Sequence, residues 1–129
     1  MELCLVVRFA LGMLCLIAVA IEPAKALDAE RVLSMCEGVE RGLKVRGEEV
    51  TLPNTPTAYQ CWGFIGAIQD VSRIESAKGR ALGACPPPEL TTIDFLRSFT
   101  KYARTHRQEL HLPAGVVAVK AIASSFPCK

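Results

Sequence analysis

The chain has 129 residues, half of them hydrophobic, with 15 basic and 13 acidic residues and a formal net charge of +2. Basic and acidic residues alternate without a run of like charge. This argues against nucleic acid as the main partner, because neutralising phosphates calls for clustered Lys and Arg.

The N-terminus reads as an export signal. Met1 to Arg8 carries one basic residue, Phe9 to Ile21 is continuously apolar, Pro23 interrupts the run, and Ala24-Lys25-Ala26 has the small-x-small form that signal peptidase accepts. Residues 1–26 are therefore expected to be a signal peptide cleaved after Ala26, leaving residues 27–129 as one domain of ordinary single-core length. The apolar run is shorter than the roughly 20 residues that span a hydrocarbon core, and no second one follows, so no stable membrane attachment is expected after cleavage. Met13-Leu14 ahead of Cys15 lacks the small residues of a lipoprotein signal. Cleavage removes Cys4 and Cys15 and leaves Cys36, Cys61, Cys85 and Cys128, an even set outside the cytosol with no Cys-x-x-Cys pair. A disulfide framework is the expectation, not a metal site.

Four helices follow in chain order. Asp28 is a candidate N-cap for a short first helix to about Cys36, with Val32, Leu33 and Cys36 at helical spacing. From Glu37 to Pro56, three glycines, two prolines and a charged middle predict a long surface connection. A hairpin within Val39 to Leu52 is the other option, set aside because a lone hairpin has little stability of its own. Thr57 and Gln60 form a candidate capping box for a second helix to about Ser76, whose apolar stripe is Cys61, Phe64, Ile65, Ile68 and Val71. Gly63 and Gly66 inside it each cost about 1 kcal/mol relative to alanine, which predicts close approach of another helix. A phosphate loop is disfavoured, since the Lys-Ser/Thr end and the preceding strand are missing.

Cys85-Pro86-Pro87-Pro88 stiffens the next connection, and Thr91 or Thr92 starts a third helix to about Leu110 with Asp94 in its first turn. Ile93, Leu96, Phe99, Ala103 and His106 line one face, with Arg97, Lys101, Arg104 and Arg107 on the rest. After His111-Leu112-Pro113, a fourth helix begins at Pro113 or Ala114 and presents Val116, Val117, Val119, Ile122 and Phe126. The predicted fold class is all-α, a small disulfide-bonded bundle of about four helices. Short connections favour antiparallel neighbours, which brings Cys36 to Cys61 and Cys85 to Cys128.

Cys61-Trp62-Gly63-Phe64-Ile65-Gly66, Asp70 four positions on, Cys85-Pro86 before a capped helix, Leu112-Pro113-Ala114 and a closing Phe126-Pro127-Cys128 together resemble the Rap/Tai family of exported type VI secretion amidase immunity proteins. The resemblance spans about Tyr59 to Cys128 and touches the earlier part only through Cys36. It implies a helical, disulfide-bonded periplasmic protein that binds a peptidoglycan-cleaving amidase effector and covers its active site. Homodimerisation is also implied, and Phe95 and Tyr102, off the main stripe, are candidates for its seam.

Among the motif residues, Cys61, Gly63, Gly66, Asp70, Pro127 and Cys128 read as scaffold, with Asp70 free to bond either a backbone group or a basic side chain. The contact element for the effector is expected in the Lys44 to Pro56 connection, at Arg46, Glu48 and Glu49, and second on the basic face of the third helix. Catalysis is the weaker class: His106, His111, Asp70 and Asp94 come with no nucleophile elbow and no His-Glu-x-x-His. The five-residue spacing of the histidines does not stack them on one helix face, so no metal and no cofactor are expected. The remaining alternative is a small periplasmic chaperone or ligand carrier, which predicts a cavity among Phe64, Ile68, Phe99 and Ile122, or exposure of that surface on acidification.

Overall fold

A computed structural model describes residues 26–76 and 79–129. The apolar run and basic start assigned above to an export signal lie outside the described residues. The element order is α1 (Ala29–Gly42), β1 (Lys44–Arg46), β2 (Glu49–Thr51), α2 (Pro56–Ser72), β3 (Glu75–Ser76), β4 (Gly79–Arg80), α3 (Thr92–Thr105), a 3-10 turn (Arg107–Glu109) and α4 (Ala114–Ser125). The described residues thus form four helices with two small antiparallel hairpins, β1–β2 and β3–β4, and the fold is not purely all-α.

Asp28 caps α1, accepting from the Arg31 N–H at 2.9 Å, but the helix runs past Cys36 to Gly42. Val39 continues the buried stripe of Val32 and Cys36, so the apolar period outlasts the glycine at Gly38. What was expected to be connection from Glu37 onward is therefore a helix followed by a hairpin. The turn of β1–β2 is Gly47-Glu48, with Gly47 at φ 61° as the one residue of left-handed conformation, as a type II′ turn requires. Gly42 serves closeness instead: a Cβ there would sit 2.6 Å from Cγ of Pro53, so glycine lets the hairpin's exit strand return against the end of α1.

Thr55, not Thr57, caps α2, accepting from the Ala58 N–H at 3.2 Å. Pro56 takes the first helical position, where its missing N–H is not needed. The helix stops at Ser72 and the chain turns into β3–β4, whose Glu75 and Arg80 pair at 2.8 Å, so the expected extension to Ser76 does not occur. Thr91 begins α3, with the Asp94 carboxylate accepting from its N–H at 2.8 Å and its hydroxyl at 2.7 Å. Those two donors hold Asp94 below the usual carboxylate range. The helix ends at Thr105 and not near Leu110, because the Thr105 hydroxyl and His106 Nδ1 both bond the Tyr102 carbonyl, at 2.9 Å each, and compete with the helical ladder.

The helices form two pairs, α1 with α2 and α3 with α4, packed over a shared core of Val32, Val39, Ile65, Phe95, Leu96 and Phe99. Cys36–Cys61 staples the first pair and is fully buried, and Cys85–Cys128 closes the span that holds the second. With sequence separations of 25 and 43, the chain-entropy model assigns each bond about 3 to 4 kcal/mol. The segment leading into α1 is tied in as well: Ala29 and Glu30 donate to the carbonyls of Leu112 and Leu110, and Leu27 accepts from Ala114 at 2.8 Å.

Polar ties that the sequence does not announce join the pairs. The Arg104 guanidinium bonds Glu37 at 3.0 Å and Glu40 at 2.6 Å, and buried Thr100 donates to Glu40 at 2.7 Å, linking α1 to α3. The two carboxylates raise the Arg104 pKa further. Gln69 of α2 donates to the Leu90 carbonyl at 3.1 Å and accepts from Thr92 at 2.7 Å, fixing the approach to α3.

Candidate functional site

Among the described residues, the β1–β2 hairpin is a part that stands off this core. All six of its strand residues are exposed, including Val45 at 52% and Val50 at 38%. In the register Lys44↔Thr51, Val45↔Val50, Arg46↔Glu49 the two valines are a cross-strand pair. Side chains alternate along a strand, so Val45 and Val50 share one face and the Arg46/Glu49 pair lies on the other. Glu48 belongs to the turn. The three residues expected to touch a partner are therefore close together, yet they divide between an outward charged face and the tip.

The valine face borders a groove of about 660 Å³ whose opposite wall is the start of α3. Val45, Gly47, Glu48 and Val50 of the hairpin, Trp62 of α2, and Thr91, Thr92, Ile93, Asp94 and Arg97 at the start of α3 line it. Trp62 and Ile93 are half-buried. Sequence reasoning missed this groove because it brings together three separate elements, with Val50 and Trp62 12 positions apart and Val45 and Arg97 52 apart. One signal was available: Val-Arg-Gly-Glu-Glu-Val places two valines symmetrically about a glycine turn.

The second expected surface, the basic face of α3, is reduced, since Arg104 is engaged by Glu37 and Glu40. Asp70 is exposed, and only its backbone takes part in a contact, its carbonyl accepting from the Arg73 N–H at 3.2 Å. Gly63 and Gly66 are not at a close helix contact, for a Cβ built on either meets nothing within 4 Å. Gly63 is exposed and Gly66 half-buried, and nothing in the structure explains the choice of glycine there. Pro127 forms a bridge with Ala84 beside the Cys85–Cys128 bond. Phe95 is only 1% exposed, with its ring 5.9 Å from that of Phe126, so it is core and not part of a dimer seam. Tyr102 is likewise occupied, stacked on His106 at 3.8 Å.

The histidines do not come together as a reaction centre: His106 caps the end of α3 and His111 is exposed beyond the 3-10 turn. Among the described residues no group of three or more His, Cys, Asp or Glu side chains is placed to hold a metal ion, and no helix is long and apolar enough to cross a membrane. Where a carrier would need space, Phe64 and Phe99 meet edge to face at 5.9 Å, and Phe99 and Ile122 are buried in the core.

The fold and surface together define a small, disulfide-stapled domain with an exposed hairpin. Residues 28–128 match the model of the Rap1a immunity proteins, and the chain belongs to that family. No curated protein and no solved structure matches it significantly. Membership assigns the chain to effector immunity in type VI secretion and makes it an inhibitor, not an enzyme. A cognate effector is therefore its partner.

Proposed function

We propose that this immunity protein is exported through residues 1–26, acts in the periplasm, and binds a peptidoglycan-cleaving amidase effector so as to cover its active site. The exposed β1–β2 hairpin, mounted on two disulfide-bonded helix pairs, carries this reading: an inhibitor gains affinity when the element it presents is already rigid, because less conformational freedom is lost on binding. Arg46 and Glu49 on the outward face and Glu48 at the tip make the contact. Two disulfides suit an oxidising compartment.

The test is a pull-down and inhibition assay with the oxidised protein against a panel of peptidoglycan amidases, with a reduced sample as control. Capture and inhibition of one amidase, lost on reduction and weakened by Arg46→Glu with Glu49→Arg, is the expected result. A panel without a single binder would overturn the amidase as target.

A further inference from the structure

The two disulfides differ in their surroundings. Cys36 and Cys61 are both wholly buried, between α1 and α2. In the other bond Cys85 is half-buried and flanked by buried Ala84 and Pro86, whereas Cys128 is exposed and flanked by exposed Pro127 and Lys129. Thiol–disulfide exchange needs a thiolate to reach one of the two sulfurs, so access decides which bond reacts and at which end.

The seating of the Cys85–Cys128 bond matters as much as its exposure. Ala84 and Pro127 form an antiparallel bridge, and the Cys85 N–H donates to the Phe126 carbonyl at 2.8 Å. Phe126 is held in turn by its own N–H on the Ile122 carbonyl at 2.9 Å and by its ring, 5.9 Å from that of Phe95. Gln69 and Arg73, at the end of α2, donate to the Leu90 carbonyl at 3.1 and 3.3 Å and hold the segment that follows Cys85. None of these ties passes through sulfur, so they keep the two cysteines opposite each other when the bond between them is open.

We infer that Cys128 is a thiol-exchange site and that Cys85–Cys128 opens and closes reversibly while Cys36–Cys61 stays shut. The reacting partner is a thiol, and a dithiol completes the reaction. Its thiolate attacks Cys128 Sγ, forms a new S–S bond there and displaces Cys85 as a thiolate, which takes a proton from water. The second thiol of the reagent then attacks the reagent's own sulfur in this mixed disulfide, closing a cyclic disulfide and releasing Cys128. Two electrons pass from the dithiol to the two cysteines. A monothiol stops at the adduct on Cys128. The β1–β2 hairpin lies between α1 and α2, which the buried bond still joins, so exchange loosens the end of α4 and leaves the hairpin mounted as before. This chemistry is independent of what the hairpin binds.

The experiment incubates the oxidised protein with dithiothreitol, blocks free thiols with iodoacetamide at intervals, and locates the labelled positions by peptide mass mapping. Labelling of Cys85 and Cys128 is expected on the order of a hundredfold faster than that of Cys36 and Cys61, because the buried pair must wait for the core to open. With glutathione as the monothiol, trapped adducts should carry glutathione on Cys128 and the alkyl group on Cys85. Backbone NMR of the half-reduced protein should show shifts in residues 82–88 and 124–129 and none in α1 or β1–β2, and oxidised glutathione should restore the starting spectrum. Cys85→Ser with Cys128→Ser should reproduce the half-reduced spectrum. Opening of both bonds at one rate, glutathione mainly on Cys85, or unfolding of the half-reduced protein or of the double variant would each overturn the inference.

Discussion

The α1–α2 pair and the β1–β2 hairpin between them are neighbours in sequence and opposites in construction. The helices bury Val32, Cys36, Val39, Cys61 and Ile65 completely and are joined by a disulfide. All six strand residues of the hairpin are exposed, and it is held by its own ladder and by the approach of Pro53 to Gly42. Stability is thus concentrated where the surface is closed, and the proposed recognition surface lies where burial contributes little. A domain this small can carry an exposed element because the staples do not depend on it.

Variants of graded size test that separation. Phe99→Ala removes a fully buried ring that meets Phe64, and should lower the unfolding free energy by about 4 kcal/mol in urea titration. Replacing Cys36 and Cys61 together by alanine should cost about 3 kcal/mol, and reduction of the native protein, which also opens Cys85–Cys128, should cost more. Asp94→Asn should remove about 1 kcal/mol at neutral pH through the cap it forms with Thr91. The folded Asp94 pKa is depressed, so its contribution is present above the unfolded value near 3.9 and lost as pH falls through the lower folded value. Urea unfolding at pH 7 and pH 3 should accordingly show a flatter acid response in the variant.

The smallest effect on global stability belongs to the hairpin. Gly47→Ala forces a side chain into the left-handed region, a local cost of about 1 kcal/mol. It should leave the melting midpoint nearly unchanged while broadening or moving the NMR signals of residues 44–51. A large fall in midpoint would mean that the hairpin is part of the cooperative core and would erase the contrast between the two regions.

Which features were legible follows from the range over which their causes act. Helix existence, the start of α3 at Thr91, and the partnering of Cys36 with Cys61 and Cys85 with Cys128 rest on periodicity, caps and short connections. Boundaries were less legible, because they turn on competition between neighbouring groups. Thr55 prevailed over Thr57 once Pro56 took the first helical position, and the Thr105 and His106 side chains ended α3 a turn early. Of the candidate site, Arg46, Glu48 and Glu49 could be named as a charged segment, but not their division between a face and a turn tip.

By itself the sequence determined that four amphipathic segments and four cysteines would make one stapled helical domain, since apolar spacing and loop length act locally along the chain. Only the tertiary structure decided that Arg104 locks α1 to α3, that Phe95 is core, and that Val45, Val50, Trp62 and Arg97 share one groove. Those groupings join residues far apart in the chain, and no local pattern encodes the distance at which packed helices bring them together.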